Sequence, residues 1–122
     1  MANPNILNAT SIYGKTIGAA LSTTVTTTLL TCASNKLLKI NSIVVSNVDG
    51  TNNADATVQF YDNSATTSYH LAKTITVPAD STLVVLGKDS PIFLEESDQI
   101  RGGASAASDL EIIISYEELD DA

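Results

Sequence analysis

The sequence predicts an all-β protein: a single antiparallel β-sandwich or jelly-roll-like domain of about eight strands, preceded by an extended N-terminal arm. Three observations carry this. Short segments rich in Val, Ile and Thr recur about every ten residues, with apolar and polar positions alternating at the two-residue period of a pleated strand. Gly, Pro, Asn and Asp punctuate the intervals. No segment repeats its apolar residues at helical spacing. A chain of 122 residues is one domain, and 43% hydrophobic residues are enough for a folded core.

Residues 1–16 hold no acid and include Pro4 and Gly14, which reads as the arm, with residues 17–122 as the sandwich. Ile6, Leu7, Ile12 and Tyr13 are its docking residues, apolar side chains that a lone arm could not bury. Leu21, Thr23, Val25, Thr27 and Leu29 alternate with hydroxyl residues and predict the first strand. Leu38 and Ile40 share one phase while Ile43 and Val45 take the other, so a β-bulge is expected at Asn41-Ser42. Asp49–Asn53 is a turn. Ala56, Val58 and Phe60 then point one way, and Thr57, Gln59 and Tyr61 the other.

The segment Tyr69–Val77 follows, and Pro78-Ala79-Asp80 turns it into Leu83-Val84-Val85-Leu86. That run is apolar on both faces and predicts a central strand. Ile92–Leu94 is short, and Gly102-Gly103 with the small residues to Ser108 predicts a mobile loop. In the last strand Leu110, Ile112, Ile114 and Tyr116 face inward. Ile113 breaks the alternation and is the candidate interface residue.

Composition narrows the function classes. The net charge of −8 and a single arginine, Arg101, argue against nucleic acid, which needs clustered Lys and Arg. Charge is also segregated: all fourteen acids lie at or after Asp49. No apolar run approaches the ~18 residues that span a bilayer, so no membrane partner is expected. The N-terminus lacks the features of a signal peptide, and one cysteine forms no internal disulfide. These features suit synthesis in a reducing cytoplasm.

Candidate chemistry is sparse. His70, the one histidine, sits on a polar strand phase, with no motif supplying the nucleophile and orienting carboxylate that catalysis needs. Cys32 reads as a small packing residue. Asp49, Asn52, Asn53 and Asp55 offer oxygens of the kind Ca²⁺ takes, but without EF-hand spacing; turn chemistry accounts for them. The Glu95-Glu96-Ser97-Asp98 cluster reads as a solvated turn or an ion pair with Arg101. No enzyme, no cofactor and no metal is expected.

Several strings carry a resemblance: Ala2-Asn3-Pro4-Asn5-Ile6, Ile12-Tyr13-Gly14-Lys15-Thr16, Lys39–Asn47, Ala56–Asp62, Leu71–Ala79, Leu94–Ile100 and Ile114–Leu119. In these the chain resembles the short structural proteins of tailed-bacteriophage virions, especially those of marine cyanobacteria. The Glu-Glu-x-Asp turn of such proteins often has Gly where this chain has Ser97. The resemblance implies a non-enzymatic virion component. The leading expectation is a capsid decoration or cement protein on the head surface, bound to the major capsid protein and other virion proteins. It would act as a homo-oligomer, in the first place a trimer, with the arm as its grip. The alternative is a neck, tail or fibre component touching the host; a small carbohydrate-binding sandwich stands behind both.

Overall fold

A computed structural model of the chain describes residues 4–120, so the first three residues of the expected arm lie outside the described residues. The described residues form nine strands: β1 (Ser11–Ala20), β2 (Thr28–Thr31), β3 (Lys36–Asn47), β4 (Ala54–Asp62), β5 (Thr67–Val77), β6 (Thr82–Leu86), β7 (Ile92–Leu94), β8 (Gln99–Ala104) and β9 (Leu110–Asp120). A 3-10 turn, Ile6–Asn8, precedes them, its N-terminus capped by the Asn5 side chain.

Two antiparallel sheets face each other. One runs β1-β9-β3-β6, with short β7 also on β3; the other runs β2-β8-β4-β5. With β7 set aside, this is the eight-strand order of a jelly roll, in which most connections cross between the sheets. The expected sandwich is therefore present, with one additional short strand.

The core lies between the inner faces. Ile40, Ile43 and Val45 of β3 meet Val58 of β4, Ile100 of β8, and Leu110, Ile112 and Ile114 of β9, all essentially inaccessible. Burying each such side chain contributes about 1.5–3 kcal/mol. The phase change in β3 falls where its residues predict it. The β3–β9 register slips between Ile40 and Ser42, leaving Asn41 as the bulge and keeping Ile40 and Ile43 both inward.

Asn47 ties the sheets together at one end. Although buried, it is fully paired: its amide nitrogen donates to Val77 O and Asn52 O at 2.9 Å, and its oxygen accepts from Asp49 N–H. The contact holds the end of β3 against the end of β5 in the other sheet.

Four expectations are corrected. The arm boundary at residue 16 falls inside β1, which pairs along its whole length with β9 of the same chain. Residues 21–27 form a looped crossing instead of a strand. Thr27 donates from both its N–H and its hydroxyl to Thr24 O, and Ser22 Oγ accepts from Thr24 N–H, so the hydroxyls close local turns. Strand β6 is an edge, paired only with β3, and Val84 points to solvent.

The fourth concerns Gly102-Gly103, which lie buried within β8. The 21–27 crossing runs directly over them: Gly102 N–H donates to Thr27 O, and Ala104 N–H to Ser22 O. A Cβ on Gly103 would lie 2.7–2.8 Å from Thr24 O, Ser22 O and Val25 Cα. Only a residue without a side chain lets the crossing come this close.

Gly103→Ala should therefore destabilise the domain by about 2–3 kcal/mol, lowering Tm by roughly 10 °C. Gly87→Ala, where nothing lies within 4 Å of the new methyl, should leave Tm close to that of the parent. Differential scanning calorimetry of both variants checks this.

Candidate assembly surface

The site is built on β1 and the outward face of the sheet it borders. Strand β1 pairs with β9 through ten consecutive positions, from Ser11–Asp120 to Ala20–Glu111, without a bulge. Its other side is an open edge. Continuing the register, Leu21 lies opposite Leu110 and donates to Leu110 O. Antiparallel alternation then turns the backbone groups of Lys15, Ile17 and Ala19 toward β9, and those of Ile12, Gly14, Thr16, Gly18 and Ala20 toward the open side.

Lys15 projects along the sheet, not over this edge, and pairs with Glu118 at 3.1 Å. At the end of the same sheet Lys36 pairs with Asp120, which raises the Lys36 pKa, chiefly through that hydrogen bond. Thr10 also donates to Asp120 O.

On the outward face an apolar row crosses four strands in register: Gly18, Ile113, Val44 and Val84. Ile113 is 46% exposed and Val84 61%. Hydroxyl residues flank it, with Thr16, Ser115 and Ser42 on one side. A shallow depression of about 370 Å³ lies where this row meets β1, lined by Gly18, Ala19, Ala20, Glu111, Ile112 and Ile113.

The anticipated docking residues do not gather in one patch. Ile6 and Leu7 sit in the 3-10 turn, both exposed, Leu7 almost completely. Ile12 and Tyr13 are exposed positions of β1, opposite Leu119 and Glu118. Ile113 points outward as its broken alternation suggests, but opposite Gly18. That is six positions from Ile12, or ~20 Å along the strand. Val44, Val84 and Gly18 were not singled out in the sequence. Val44 was legible as the outward residue between inward Ile43 and Val45.

A second concavity, an apolar cleft of about 190 Å³, opens between the β5 and β7 margins. Phe60, Tyr69, His70, Leu71, Ile92 and Phe93 line it. His70 there faces an amide: its Nε2 lies 3.2 Å from Gln59 Nε2. Gln59 Oε1 is the one buried side-chain polar atom without a partner among the described residues. A half-turn of that amide would offer it the His70 N–H.

The acidic clusters are structural. Asp49 accepts from Thr51 N–H, Asn52 N–H and the Asn52 amide, and these hydrogen bonds, led by Thr51, lower its pKa. Asp98 is buried and accepts from Asn63 N–H and Glu95 N–H, pinning the 95–98 turn. Arg101 makes no ion pair with that cluster. Its guanidinium lies 3.7 Å above the Tyr61 ring, with Nε donating to Gln99 Oε1. Ser97 has a φ of 71°, a left-handed conformation that favours Gly.

Cys32 is buried, with Sγ 3.2 Å from Lys36 O. Burial pushes its thiol up to about 11, with the nearby Asp98 carboxylate adding to the rise.

No family model matches the chain, and no curated protein matches it by sequence. Among solved structures it is similar to a chain from work on Bacillus endospore appendages, described as a family of disulfide-linked pili. The match has 16% identity and a TM-score of 0.55, and covers 92% of this chain and 88% of the other. At that identity the likeness concerns the fold.

Two measurements test these local readings. Ser97→Gly should stabilise the domain by about 0.5–1 kcal/mol, a rise in Tm of roughly 2–4 °C; an unchanged or lower Tm would contradict a strained Ser97. At pH 8 the native Cys32 thiol should react with a thiol-selective reagent far more slowly than in denaturant. Equal rates would contradict the buried, proton-retaining environment.

Proposed function

We propose that this chain is a non-enzymatic structural subunit of a tailed-phage particle, seated on the outside of the head shell as a decoration protein with the capsid protein as its partner. The observation that carries this reading is the division of apolar surface. The interior is closed by fully buried aliphatic residues, while Ile113, Val84 and the β1 edge offer apolar and backbone groups outward. Such a domain adds stability by covering surface on a neighbour, and many copies on a lattice multiply the effect. The strings that resemble virion proteins support this reading. Most of them fall on β3, β4, β5, the 95–98 turn and the end of β9.

A neck, tail or fibre role is the second reading. What favours it is the likeness to a pilus protein, since a jelly roll can also serve as the repeating unit of a filament. Disulfide linkage does not carry over readily, because the single cysteine is buried and its thiol is held protonated.

Copy number in purified particles separates the two. On the order of hundreds of copies supports the shell; roughly a dozen or fewer moves the protein to the neck or tail. The arm is tested by a truncation that spares β1. Removing residues 1–9 should leave Tm nearly unchanged and abolish particle binding. Binding that persists would dismiss Ile6 and Leu7 as the grip.

A further inference from the structure

We propose that β1 is a self-pairing edge: two copies of this chain join through antiparallel β1 strands, extending one sheet across a two-fold axis. The pairing rests on strand geometry and charge and does not depend on the virion reading.

The other free edges do not match β1. Strands β2, β6 and β7 run only four, five and three residues. Strand β5 is long, but its register against β4 slips on either side of Val58, and Thr74 within it is left-handed, with φ 47°. Bulges and kinks of this kind stop an edge from templating another strand. Strand β1 keeps ten regular positions, and only another β1 is equally long and regular.

Charge favours the same partner. Each copy carries a net charge of −8, so most of one surface repels most of another. Strand β1 belongs to the acid-free first 48 residues and has Lys15 as its one charged group. The nearest acids, Glu111, Glu117, Glu118 and Asp120, sit one strand back on β9, with Glu118 paired to Lys15, so two copies meeting at β1 place no acid directly opposite another.

Geometry also selects a register. A two-fold axis that joins antiparallel strands into one sheet stands perpendicular to it, so residues facing one side meet residues facing the same side. Centring the pair on Thr16 sets Gly14 opposite the second copy's Gly18, and Ile12 opposite its Ala20. This register uses all five residues whose backbone groups face outward. Each contributes one N–H and one C=O, giving about ten hydrogen bonds in all. Centring on Lys15 would instead set the two ammonium-bearing strand positions face to face. In the Thr16 register Lys15 lies opposite Ile17, and Tyr13 reaches Ala19.

The test is sedimentation equilibrium of the purified full chain over a range of concentrations, at low and high salt. A monomer–dimer equilibrium that strengthens with salt is expected, because screening relieves the repulsion between the acidic bodies. Thr16→Pro removes an N–H that points away from β9 and places a ring at the seam, a substitution an edge strand tolerates. It should weaken dimerisation at least about tenfold, with the circular dichroism spectrum and Tm close to those of the parent. Thr16→Cys should form a disulfide-linked dimer on mild oxidation, since opposed Cα atoms in a ladder lie within disulfide range. Val84→Cys should not.

A chain that stays monomeric at every concentration and salt would overturn the proposal. So would a dimer indifferent to Thr16→Pro, or cross-linking at Val84 in place of Thr16. If Thr16→Pro fails to fold, the two cysteine variants still decide the matter.

Discussion

The sheet that carries β1 hangs on the last strand of the chain. Strand β9 lies between β1 and β3 and pairs with both over nearly its full length, so the first and last strands of the jelly roll are held by one ladder. The side chains follow: Ile112 and Ile114 go into the core, and Ile113 between them goes out. At the chain end Lys15–Glu118, Lys36–Asp120 and the Thr10 hydrogen bonds hold that ladder shut. Partly exposed pairs of this kind contribute little each, but they sit where an edge strand would otherwise fray. Closing so long a loop costs chain entropy, which slows formation of the β1–β9 pairing relative to local contacts.

The opposite sheet is shaped by close approach more than by side-chain volume. Ala54, Ala56, Gly102, Gly103 and Ala104 keep parts of β4 and β8 thin, and the 21–27 crossing settles onto the glycines with its carbonyls bonded to their strand. A crossing at that distance could not leave its polar backbone unpaired. The Thr and Ser side chains close its turns, and the β8 N–H groups take its carbonyls. Asn47 does the equivalent work at the same end of the sandwich, toward its β5 side, where a buried amide with every hydrogen bond made links β3 to β5.

How much of this was legible in the sequence depended on the range of the interaction. The bulge at Asn41-Ser42 could be read because it is a phase change within one strand, and so could the inward residues of β9 and the outward Ile113. Residues 21–27 misled because Thr-rich alternation looks the same in a strand and in hydroxyl-closed turns. Gly102-Gly103 misled for the opposite reason: a glycine pair signals a turn locally, and here it signals a neighbour almost eighty residues earlier in the chain. The run Leu83–Leu86 hides a further ambiguity, since it is apolar on both faces whether its outer face meets protein or water. The arm failed on range too. Ser11–Thr16 has strand character, but its partner lies at the far end of the chain.

That edge is the unusual part of the surface. Proteins commonly protect free strand edges by shortening them, bulging them or placing a charge across them. Three of the edges here are short, and β5 combines bulges, Lys73 and a left-handed Thr74. Strand β1 has none of these defences. Its one charge, Lys15, is drawn along the sheet to Glu118, and beyond Ile12 its outward face is cut back to Gly14, Thr16, Gly18 and Ala20, residues too small to shield the backbone. A ten-residue regular edge left open in this way invites indiscriminate pairing, which a net charge of −8 on the rest of the molecule holds off except where acids are missing. Edge and charge together restrict what can dock there, and under the proposed pairing they select a second copy of the same strand.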